Sequence, residues 1–143
     1  MTLFLLFLLV TQLAASSAHA VQQCVGYEPN SVALRGRIKR TTFAGPPNYE
    51  SVAKGDQPER YWVLQLAKPI CVSASADSEA EKNVSDIQLV FGDPTNQYRR
   101  YKSLVDRRVI VMGTLFQAQT GHHHTKVLLT VRSIKRLKAA HSI

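Results

Sequence analysis

The sequence predicts a mainly β domain, a five-stranded OB-like barrel with one short helix between strands three and four. Five segments alternate apolar and polar residues, or run apolar with β-branched residues, between turn signals. One segment of helical period falls after the third of them. The resulting order, three strands, a helix and two strands, is that of an OB barrel.

Val32 to Lys39 is the first strand, with Val32, Leu34 and Ile38 on one face and Arg35, Arg37 and Lys39 on the other. Tyr61 to Leu66 is the second, with Trp62, Leu64 and Leu66 inward, continuing past Pro69 into Ile70 and Val72. Ser73 to Asn83 reads as a polar loop, and Asp86 to Phe91 as the third strand with Ile87, Leu89 and Phe91 inward. Asp93 then stands as N-cap before Pro94 at the first helical position, and Tyr98, Tyr101 and Val105 follow at helical spacing before a turn at Asp106. Arg107 to Phe116 is the fourth strand, with Gly113 expected at a bulge, and Thr125 to Ile134 is the fifth.

The apolar run Leu3 to Val10, closed by Ala18-His19-Ala20, predicts a signal peptide over residues 1–20 and a mature chain from Val21. The domain is then 21–143, exported to the periplasm or the medium, and it is long enough for one core. Cys24 and Cys71 are an even pair in a chain bound for an oxidising compartment, which predicts a disulfide. Such a bridge spans 47 positions. Charge is nearly balanced from Val21 to Asp93, whereas Pro94 to Ile143 holds ten basic residues against the single acid Asp106. The net +8 therefore belongs to the last third of the chain.

Two loops carry unusual residues. The first, 44–60, holds Gly45-Pro46-Pro47-Asn48-Tyr49-Glu50-Ser51 and then Asp56 and Glu59; the second, 117–126, holds Thr120-Gly121-His122-His123-His124-Thr125. In an OB barrel these loops flank the common ligand face, so Asn48, Tyr49, Glu50, His122, His123 and His124 are the candidate ligand-binding residues. In extended chain His122 and His124 share a side and could hold Zn, Cu or Ni with Glu50, Asp56 or His141. The competing reading has Gly121 supplying a positive-φ turn and the imidazoles hydrogen-bonding to the Asn48 and Tyr49 region. Trp62 is assigned to the core, and Tyr49 and Tyr61 offer stacking surface.

A histidine paired with Glu50 as general acid and base would make a small hydrolase, yet no G-x-S-x-G, no S-x-x-K and no free cysteine accompanies it. Arg99, Arg100 and Lys102, beside the helical apolar positions, are the candidate polyanion site. Export shifts the expected partner from nucleic acid to an envelope protein, a glycan or another anionic polymer. The composition and motifs thus predict a non-catalytic binding module without a cofactor, with periplasmic metal binding as the alternative and hydrolysis third.

The motifs GPPNYES, PE-x-YW, PICV and TGHHHT resemble those of a family of small exported bacterial proteins classed as domain of unknown function 4431. The resemblance covers most of the mature chain. It implies a bacterial, periplasmic protein and transfers no activity.

Overall fold

The computed structural model describes residues 24–138. The expected leader at 1–20, the new terminus Val21 and the candidate ligand His141 lie outside the described residues. The elements are β1 (Ser31–Ala44), β2 (Pro58–Val72), β3 (Glu81–Val90), α1 (Pro94–Tyr101), β4 (Arg108–Gln117) and β5 (Val127–Arg136), with single 3-10 turns at Val52–Lys54 and Lys102–Leu104.

The five strands form one sheet that closes in the order β1-β2-β3-β5-β4. β1 serves two neighbours: Ser31 to Arg37 pair antiparallel with β4, and Gly36 to Ala44 pair antiparallel with β2. The parallel pairing of β3 with β5 completes the expected OB-like order. Alternation places Leu34, Ile38, Leu64, Ile87, Leu89, Val111, Leu115 and Leu129 inside the ring, all buried.

The helix lies where its sequence signals put it. Asp93 accepts a hydrogen bond from the Asn96 amide at 3.2 Å, and proline occupies the first turn. Its inner aromatics, Tyr98 and Tyr101, pack with Phe91 and Trp62; the Trp62 and Tyr98 rings lie 4.9 Å apart, edge to face. Among the described residues no helix is long and apolar enough to cross a membrane.

Two strands start or end elsewhere than the apolar pattern suggests. β1 runs on to Ala44 because Arg40, Thr41 and Thr42 pair with Trp62, Tyr61 and Arg60; ladder hydrogen bonds, not burial, sustain it. β3 starts at Glu81, inside the stretch expected as loop, because the pairs Ile70 with Val84 and Val72 with Glu81 tolerate a register shift. Asn83, at φ 54, breaks the alternation that would have revealed it.

Cys24 and Cys71 form a disulfide with Cα atoms 4.7 Å apart. The Val25 amide donates to the Cys71 carbonyl at 3.0 Å and the Ser73 amide to the Val25 carbonyl at 2.9 Å, so the segment entering β1 lies along the end of β2. Gly113 sits at the β4–β5 register shift, as expected for a bulge.

Candidate functional site

One buried carboxylate shapes the first loop. Asp56 accepts four hydrogen bonds: from the Asn48 amide at 3.0 Å, the Asn48 side chain at 3.1 Å, and the Glu50 and Ser51 amides at 2.8 Å each. The Ser51 and Glu50 hydrogen bonds, against the opposing effect of burial, hold its carboxyl below the ordinary range. The loop can therefore place Tyr49 at φ 59, a left-handed conformation that costs a non-glycine residue energy unless its surroundings fix it.

Glu59, the second residue of β2, joins the first loop to the second. Its Oε1 accepts from His122 Nδ1 at 2.6 Å and its Oε2 from His124 Nε2 at 2.8 Å. A carboxylate only accepts, so each imidazole donates the nitrogen facing it. Gly45 makes room: a Cβ there would lie 2.6 Å from Glu59 Cγ. Burial alone would push the Glu59 carboxyl up, but the hydrogen bonds from His124 and His122, with their charge, reverse the sign and hold it below its usual value.

The second loop is also clamped from beneath. Gln88, near the C-terminal end of β3 and buried, donates from Nε2 to the His122 carbonyl at 3.0 Å and accepts the His124 amide on Oε1 at 2.8 Å. Its own amide donates to Thr125 Oγ1 at 2.9 Å. His124 is stacked on Phe43 with ring centroids 4.4 Å apart and planes 2° from parallel, and Tyr61 lies 5.5 Å away on a tilt. The loop thus covers part of the sheet's outer face with its own aromatic contact.

The structure brings Tyr49, His122 and His124 to one place. The Tyr49 ring meets His122 edge-on at 5.7 Å and lies against Gly121. The imidazoles bond to Glu59, however, and not to Asn48 or Glu50; Asn48 and the Glu50 amide are engaged by Asp56. His123 faces the other way, its ring 5.4 Å from Phe116 and its Nδ1 accepting the Gln119 amide at 2.9 Å. Burial first, then the charges of its two neighbours, lower its pKa.

The expectation of a positive φ at Gly121 is corrected: among the described glycines only Gly55 has one. A Cβ at Gly121 would lie 2.9 Å from Tyr49 Cζ, so a side chain there would displace the Tyr49 ring. Sequence reasoning missed Gln88 and Phe43, and named Gly45 and Glu59 in the first loop without pairing them. A lone glutamine in the apolar run Ile87-Gln88-Leu89-Val90 was the available signal, since a polar side chain buried between strands needs partners.

Among the described residues no three His, Cys, Asp or Glu side chains are gathered in a way that could hold a metal. The two imidazoles take different oxygens of Glu59. Arg99 and Arg100 are exposed on α1, Arg99 bonded to Asn96 and Arg100 5.4 Å over the Tyr101 ring; Lys102 is exposed in the turn that follows.

Lowering the pH tests the two carboxylates. A depressed folded-state pKa means a stabilising contribution fully present above the unfolded carboxylate value of about 4 and lost as pH falls through the lower folded values. The loops are therefore expected to stay closed to pH of about 4 and open below it. Amide and imidazole NMR shifts followed against pH check this, and opening between about pH 5 and 6 would contradict it.

Fold and site together define a class: a disulfide-bonded, closed five-stranded β domain of OB-like order whose first and last inter-strand loops are joined. Residues 86–135, which run from β3 through α1 into β5, match the model of the family described as Domain of unknown function (DUF4431). No curated protein matches the chain.

Proposed function

We propose that the chain is an exported, periplasmic, non-catalytic binding module that captures an envelope protein or glycan on its two joined loops. One observation carries the reading: Glu59 fuses loops sixty-odd residues apart into a single surface. That surface offers Tyr49, 39% exposed, and His122, whose side chain is 54% exposed and whose Nε2 has no partner among the described residues. An amphipathic ring beside a free imidazole nitrogen suits sugar rings or a polar protein surface. The apolar leader with its A-x-A site, and the disulfide, support export.

The test leaves the buried half of the contact, Glu59 with His124, in place. Tyr49→Ala and His122→Ala are compared with the unchanged protein in crosslinking to native envelope material. Each is expected to reduce the captured species roughly tenfold while the melting curve stays close to that of the parent. Capture unchanged in both variants would overturn the proposal. Stoichiometric zinc, copper or nickel in tag-free protein, lost on His122→Ala, would favour metal binding instead.

A further inference from the structure

The ring is not sealed equally all round. β1 pairs with β2 only from Gly36 onward, and beyond Gln65 β2 shifts register against β3. Between Ala33–Arg37 of β1 and Gln65–Ile70 of β2 lies a groove of about 730 Å³, within the ~300–1,000 Å³ usual for small-ligand sites. It is well away in the register from the first of the joined loops, which hangs from the Ala44 and Pro58 ends of the same strands.

The lining has two kinds of side chain. Leu34, Leu66, Ile70 and Leu137 are apolar and at least half-buried, whereas Arg35, Arg37, Lys68 and Arg108 are exposed cations. No acidic residue lines the groove. Arg37 and Arg108 stand opposite each other in the β1–β4 register, with Arg35 two positions along on the same face. Arg37 donates to the Asp106 carbonyl at 2.5 Å, but the Asp106 carboxylate is taken by Lys39 at 2.7 Å. Arg35, Lys68 and Arg108 form no ion pair among the described residues.

Four cations beside an apolar strip match the two ends of an anionic amphiphile. We propose that this groove binds a single-chain lipid phosphate, its head held by Arg35, Arg37, Lys68 and Arg108 and its chain laid along Leu34, Leu66, Ile70 and Leu137. Guanidinium groups match phosphate oxygens bidentately, and a phosphate monoester carries more charge than a carboxylate. An acidic peptide fits less well, because its amides would need polar partners and Gln65 is the only uncharged polar side chain in the lining.

Decyl phosphate, kept below its aggregation concentration, is the probe for calorimetric titration of the disulfide-bonded protein. Saturable one-to-one binding is expected. The pair Arg35→Ala with Arg108→Ala should weaken it roughly tenfold or more, as loss of charged hydrogen bonds does. Leu137→Ser should weaken decyl phosphate without affecting any residual binding of inorganic phosphate. Lys68→Ala, a single change at an exposed site, serves if the double variant unfolds. Equal affinity for inorganic phosphate, equal affinity for neutral decyl maltoside, or binding of an acidic peptide in preference to decyl phosphate would each overturn the proposal.

Discussion

Reducing the Cys24–Cys71 bridge is expected to destabilise the domain by about 4 kcal/mol, lowering its melting temperature by roughly 10–20 °C. The figure follows from the 47 positions that the bridge closes, a constraint acting on the unfolded chain. The folded chain adds to it. The segment after Cys24 holds to β2 by two backbone hydrogen bonds and delivers Tyr27, 3% exposed, into the core, where its hydroxyl donates to the Glu79 carbonyl at 3.0 Å. Without the bridge this segment relies on those contacts and on the Glu28 amide, which donates to the Leu115 carbonyl at 2.8 Å, against fraying. Thermal melts with and without reductant check the expectation, and a shift under about 3 °C would show that the bridge constrains little.

Gly113→Ala is expected to destabilise by about 3 kcal/mol or more, the top of the range for overpacked interiors. The added methyl carbon would lie 2.0 Å from the Thr130 carbonyl oxygen and 2.8 Å from Leu129 Cδ2. A side-chain neighbour can rotate away; a backbone carbonyl in the β4–β5 ladder moves only with its strand. Gly92→Ala is the control, since nothing lies within 4 Å of its new carbon, and it should stay within about 0.5 kcal/mol of the parent. Urea unfolding of both variants separates the outcomes, and equal midpoints would refute the close approach at the bulge.

The parts of this fold legible in sequence are those where burial alone dictates residue type. Val32, Leu34 and Ile38 alternate because one face of β1 meets the core, and Asp93-Pro94 announces a helix because capping chemistry is local. The meeting of the two loops was also legible, through strand order. Its chemistry was not. Nothing within the first loop distinguishes Glu50, Asp56 and Glu59 as acids: Asp56 turns inward to four donors, Glu59 lies against Gly45 and reaches the histidines, and neither choice leaves a periodic mark. Gln88 escaped because alternation assigns it to solvent, and only the returning loop buries it. The register shift that opens the groove beside Gln65 depends on how β2 pairs with β3, a long-range property.

The position of β5 in the ring sets an order of events during synthesis. β5 alone joins β3 to β4, through Gln88 with Leu128 on one side and Leu115 with Leu129 on the other. A nascent chain that stops short of Val127 has no means of joining them, and the free edges of both strands remain open to other strands. Closure therefore waits until β5 has been made, and until then the chain carries both open edges.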